Sequence, residues 1–187
     1  MATMRDAKIL GGIGAILSLL SLIPRVGVVF SIVGLVLVLI AVKYISDIVR
    51  EPKIFKDVLI AVIAQIIGTV VFSLVVPIAL LGILVGVPRF RHFTVSLTLG
   101  GIIVAFIVML ACFIMGALLI KRSYYRIAEL TGVNLFRTTG LLYLIGAILV
   151  VVLIGAIVLF VAKILEAVSF FSLPETYPPR PPPPPPT

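Results

Sequence analysis

The chain has 187 residues, of which 62% are apolar and only 12% charged, and its net charge is +8. Soluble domains are about 45–50% apolar and about 25% charged, so this composition excludes an ordinary soluble globular protein and points to a bilayer as the solvent. The basic balance would suggest nucleic acid in a soluble chain. Here it reads instead as Lys and Arg in short loops between apolar spans, in contact with anionic headgroups, and no nucleic-acid partner is expected.

The first apolar block runs from Ile9 to Ile45 and is interrupted by Pro24-Arg25. A crossing takes about 20 residues, so the block reads as a hairpin of spans near 9–23 and 26–45. The basic, apolar start resembles a signal peptide, but Ser21-Leu22-Ile23-Pro24-Arg25 lacks a small-x-small cleavage site, so the segment reads as a retained first span. The next block gives a span near 58–80, with Pro77 marking a kink or an end. A further span lies near 94–120.

The last block, Gly140–Phe171, is the ambiguous one. As a single helix its length would be about 48 Å, too long for one crossing even when tilted by about 40°. It either turns near Gly155 into spans near 139–154 and 156–172, or ends near Ala162 with an interfacial helix after it. The expected fold is therefore an all-α, polytopic transmembrane bundle of six spans, with five as the alternative.

Two internal echoes support six. Gly14-Ala15-Ile16-Leu17 recurs as Gly146-Ala147-Ile148-Leu149, and Leu39–Ser46 resembles Leu165–Ser172. The basic loops also match: Tyr44 precedes Phe55-Lys56 by the spacing that separates Tyr125 from Phe136-Arg137. Each loop breaks at Pro52 or Gly132, and each is expected to hold a short amphipathic piece lying on the membrane surface.

With six spans, Arg5, Lys8, Lys43, Arg50, Lys53, Lys56, Lys121, Arg122, Arg126, Arg137 and Arg180 share one side, and Arg25, Arg89 and Arg91 the other. That asymmetry places both termini in the cytoplasm. From Leu173 onward the composition changes to a proline-rich tail ending in the run Pro181–Pro186, which is expected to extend as disordered polyproline II at about 3.1 Å per residue.

Several segments together resemble a known family. They are Leu10-Gly11-Gly12-Ile13-Gly14, Ile23-Pro24 with Gly27, Ala41-Val42 with Ile45-Ser46, Ile54-Phe55-Lys56, Ile127-Ala128 with Thr131-Gly132-Val133 and Phe136, Gly140–Ala147, and Ala167 with Phe170-Phe171-Ser172. In this order they resemble the domain of unknown function 996 family of small multi-span membrane proteins, found mainly in archaea. The resemblance covers roughly residues 8–172. It implies a fold class and an archaeal cell membrane, and it carries over no activity or catalytic residue.

Lys163 and Glu166 are the sharpest functional candidates. With Ser172 at the inner end of the last helix, they lie about 14 Å and about 9 Å deep. At i,i+3 they share a helix face. They read either as an ion or proton relay facing the bundle or as an ion pair snorkelling to the surface. Gln65, Thr69 and Ser73 recur every four residues and would line a polar path or bond neighbouring helices. Gly11/Ala15, Gly14/Ser18, Gly82/Gly86 and Gly101/Ala105 permit close helix approach, within one chain or in a homo-oligomer.

In the tail, Arg180, Pro183 and Pro186 fit the basic PxxP pattern read by aromatic grooves, or simply form a spacer. Catalytic motifs are absent from the sequence. The lone Cys112 and lone His92 suggest no disulfide, metal or cofactor. The expected function is interaction, as a scaffold or assembly subunit, with a small transporter using Lys163 and Glu166 as the alternative.

Overall fold

The computed structural model describes residues 3–20, 27–85, 91–152 and 154–177. It contains six α-helices, α1 Met4–Leu19, α2 Gly27–Ile48, α3 Pro52–Val85, α4 Arg91–Thr131, α5 Leu135–Leu149 and α6 Ile154–Phe171. No strand occurs among the described residues. The last five helices are long and apolar enough to cross a membrane. The turn expected at Pro24-Arg25 and the tail residues Arg180, Pro183 and Pro186 lie outside the described residues.

The block after Gly140 contains two helices, and the break between them falls near Gly155, as expected. A 3-10 turn at Val150–Val152 precedes Ile154, and Gly155 sits in the first turn of α6. A Cβ there would collide with the backbone of Leu149 and Val150, so glycine allows α6 to start directly against the end of α5. An interfacial helix after Ala162 is ruled out, because α6 continues to Phe171.

The basic loops are also shorter than expected. Residues from Pro52 onward form the first turns of α3, and Lys121–Thr131 form the last turns of α4, so neither segment is a separate surface piece. Proline suits a first helical position, where its missing N–H is not needed. Pro77 neither ends nor interrupts the helix assigned over Pro52–Val85. At about 1.5 Å per residue α3 and α4 measure about 51 Å and about 62 Å, against a hydrocarbon core of roughly 30 Å.

At the other end, α1 begins earlier than its apolar run. The Thr3 hydroxyl accepts from the Asp6 N–H at 3.2 Å, and the Asp6 carboxylate accepts from the Thr3 N–H at 3.0 Å. This capping box satisfies two terminal donors. The bonds from the Thr3 side chain and then its backbone also hold the Asp6 carboxyl below its usual range.

The chain divides into two compact units, Met1–Leu59 with Ala117–Thr187, and Ile60–Gly116. In the first, α1 packs on α2, α5 on α6, and α1 on α6. Gly14 and Gly34 bring α1 and α2 into backbone contact: a Cβ on Gly34 would lie 2.6 Å from the Gly14 carbonyl oxygen and 2.8 Å from the Ser18 nitrogen. Gly11 faces the Phe170 ring. The stripes at Gly11 and Gly14 are therefore used within the chain. In the second unit Gly68 lies against Cys112 and Met109, Phe72 meets Phe106 edge-on at 6.2 Å, and Gly101 faces open space.

The echo between loops is a structural repeat, in a register one residue away from the sequence match. Adding 82 to a residue number in the α2–α3 turn gives its counterpart in the α4–α5 turn. Arg50 and Gly132 both have positive φ, at 57° and 76°. The Ile54 and Phe136 N–H groups each bond a carbonyl three residues back, that of Glu51 or Val133, at 3.2 Å, and both side chains are fully buried. Lys43 lies over the Phe55 ring and Arg137 over the Tyr125 ring, the same contact with cation and ring exchanged.

The longer echo holds only in its first half. Gly14 and Gly146 both occupy hairpin crossings, against α2 and against Leu159 of α6. However, Val42 and Ile45 are buried whereas their partners Val168 and Phe171 are 47% and 42% exposed. Those two stretches are therefore out of phase.

Candidate functional site

Lys163, Glu166 and Ser169 follow one another at i,i+3 on α6, which places them along one face. Two glycines bring α5 to that face and to α4. Gly140 lies against the Lys121 and Tyr124 backbone and Cβ, where an added Cβ would be 3.1–3.2 Å away. Gly146 lies against Leu159 of α6, where a Cβ would be 2.7 Å from the side chain. Between them Tyr143 projects from α5 toward the space shared by Tyr124 of α4 and Glu166 of α6.

There Glu166 is buried, with 2% of its surface exposed. One carboxylate oxygen, Oε1, accepts from the Tyr124 hydroxyl. The other, Oε2, accepts from the Tyr143 hydroxyl at 2.7 Å and from the Lys163 ammonium at 2.9 Å. Lys163 also lies 5.4 Å from the Tyr143 ring centroid, a cation–π contact. A buried carboxylate without partners would be very costly. With three donors, one of them a neutralising ammonium, the charge is matched locally. Among the described residues no buried side-chain nitrogen or oxygen lacks a hydrogen-bond partner.

Beside the carboxylate lies a second polar contact and an aromatic stack. The Thr139 and Ser169 hydroxyls are 3.1 Å apart across α5 and α6. Tyr124 meets Phe136 edge-on at 5.4 Å, and Phe136 meets Phe170 at 5.2 Å. Phe170 in turn closes on Gly11. The Ser123 hydroxyl donates to the Ile54 carbonyl at 3.0 Å, tying α4 to the start of α3. Farther out, Arg126 pairs with Glu51 at 2.8 Å. Both side chains there are more than a third exposed, so this pair contributes little, about 0–1 kcal/mol.

This geometry resolves the sequence candidates unequally. Lys163 and Glu166 do pair, but they are not a pair snorkelling together: Glu166 points inward, and only Lys163 retains exposure, at 35% of its side chain. Gln65 belongs to the other unit and lies beside Gly116. Thr69 and Ser73 are exposed, and the Ser73 hydroxyl bonds the Val70 carbonyl. Tyr124, Tyr143, Thr139 and Ser169 are the site residues that the charge-led reading missed. The usable signal is Tyr143, a tyrosine within an apolar span, because a buried carboxylate needs donors. No cluster of His, Cys, Asp or Glu able to hold a metal is present among the described residues.

The Protein of unknown function (DUF996) family matches residues 30–164. An uncharacterized protein of Methanocaldococcus jannaschii, MJ1644, is 38% identical over 172 residues, covering 92% of this chain and 94% of its own. The chain belongs to the DUF996 family. No solved structure matches it. Within the matched stretch of this DUF996 protein lie Tyr124, Tyr143 and Lys163, while Glu166 falls two residues beyond it.

Proposed function

We propose that this DUF996 protein acts by interaction, as a scaffold or as a subunit of a larger assembly in the cell membrane, with its N-terminus in the cytoplasm. The observation that carries this reading is the closure of the Glu166 site. Both oxygens of its carboxylate are engaged by donors from three helices. Such a group ties α4, α5 and α6 together, and with Glu166 only 2% exposed the carboxylate is turned away from a passing ion or substrate. The basic residues near Pro52 and Lys121 match a cytoplasmic, headgroup-level position, and the Pro-rich tail with Arg180, Pro183 and Pro186 would reach a soluble partner.

The second reading, a small transporter using Lys163 and Glu166, draws on one feature, the partial exposure of Lys163.

Affinity capture from native membranes tests the first reading. The full chain is compared with one stopped after Leu173, a buried residue that keeps its place. A defined set of proteins recovered with the full chain and lost with the tail identifies an adaptor. The same set recovered with both identifies an assembly held by the helices. Recovery no greater than the untagged control from either form contradicts the proposal.

A further inference from the structure

The C-terminal turns of α4 carry a groove that the Glu166 cluster does not use. It has a volume of about 690 Å³ and is lined by Leu118, Lys121, Arg122, Tyr125, Arg126 and Glu129. Tyr125 is its organising residue. The Lys121 ammonium lies 5.4 Å from the centroid of that ring, and the Arg137 guanidinium lies 4.9 Å from it. Two cations are thereby held no more than about 10 Å apart, close enough to repel across a surface of intermediate dielectric. Among the described residues neither is part of an ion pair, and neither is Arg122, whereas Arg126 is already paired with Glu51. Two cations held at one aromatic ring, with Arg122 beside them in the groove lining and none of the three in an ion pair, present a site whose missing component is an anion.

We infer that this groove binds the phosphodiester headgroup of an anionic phospholipid, with Lys121, Arg122 and Arg137 as the phosphate contacts and Tyr125 as the platform that holds two of them.

The groove itself favours a lipid over a soluble phosphate. Its one end is Leu118, which is 41% exposed and belongs to the apolar run that stops at Ile120. A lipid acyl chain would follow that apolar side while its phosphate meets the first charge after the run, Lys121. This is the level at which headgroups meet a spanning helix. Guanidinium groups suit the phosphate because they can donate two parallel bonds. Glu129, one turn beyond Tyr125, sets the far limit of the phosphate position by repulsion and offers an acceptor to a headgroup hydroxyl. The site does not depend on the scaffold reading, since a lipid-bound subunit and a lipid-bound transporter would both use it.

Native mass spectrometry of the full chain in detergent, with equal amounts of phosphatidylglycerol and phosphatidylcholine, reads the site directly. The wild type should retain phosphatidylglycerol in preference. Lys121→Gln with Arg137→Gln should weaken that retention by about thirtyfold, the scale expected for losing two cations at a membrane surface. Lys53→Gln with Lys56→Gln removes the same charge from exposed positions on α3 and should leave retention unchanged. Inorganic phosphate should not displace the lipid. Equal losses from the two double variants would mean diffuse surface charge, and displacement by phosphate would mean a soluble-anion site. Either result, or equal retention of the two lipids, overturns the proposal.

Discussion

Glu166→Ala should destabilise the fold by about 3–5 kcal/mol, the scale for breaking a buried pair by removing one partner. The substitution leaves the Tyr124 and Tyr143 hydroxyls without their acceptor and the Lys163 ammonium without its counter-charge. It also opens a space between three helices that no neighbour fills easily. Glu166→Gln should cost less, about 1–3 kcal/mol, because the amide keeps the volume and one acceptor oxygen. Tyr143→Phe should cost the least. It removes one hydroxyl but keeps the ring under Lys163, and hydrogen bonds inside membrane proteins contribute about 0.6 kcal/mol on average. The order Ala, Gln, Phe is therefore the diagnostic. Unfolding by sodium dodecyl sulfate in mixed micelles, followed by circular dichroism, measures all three. Glu166→Ala as stable as the wild type would show that the carboxylate holds nothing together.

Gly34→Ala should produce the second large effect, a loss of about 1–3 kcal/mol or more. The added methyl would meet backbone atoms of Gly14 and Ser18, which cannot rotate away. The α1 helix would have to move, and α1 also packs on α6, where Gly11 accommodates the Phe170 ring. Displacement at the crossing should therefore reach the Phe136–Phe170 contact beside the site. Gly101→Ala, at a position with open space, serves as the comparison and should stay within about 0.5 kcal/mol of wild type. The same unfolding assay distinguishes the two, and equal stabilities would contradict the close crossing.

How far the sequence shows this fold depends on which residues carry the signal. Apolar length and turn residues locate the helices, because the bilayer demands about 20 apolar residues per crossing. Apolar length does not locate helix ends that run past the hydrocarbon. Pro52 and Lys121–Thr131 read as loops because they are polar, yet each continues a helix whose far part is apolar. The Thr3–Asp6 capping box lies outside the apolar run in the same way.

The site is half legible for a related reason. Lys163 and Glu166 stand out as charges among apolar residues, and their i,i+3 spacing implies a pair. Which one is buried depends on where α4 and α5 place Tyr124 and Tyr143, and that depends on Gly140 and Gly146. The repeat carries the same lesson. Identity pairs Tyr44 with Tyr125, but backbone conformation pairs Arg50 with Gly132. The left-handed turn persists where the residue does not.

The most direct test of a closed, load-tying Glu166 is flux through the purified protein in sealed liposomes. Proton and potassium movement under an imposed membrane potential would be compared for wild type, Glu166→Gln and protein-free vesicles. The closed geometry predicts the same background leak in all three. A flux carried by the wild type and abolished by Glu166→Gln would make the cluster a conduction path and contradict the structural role assigned to it.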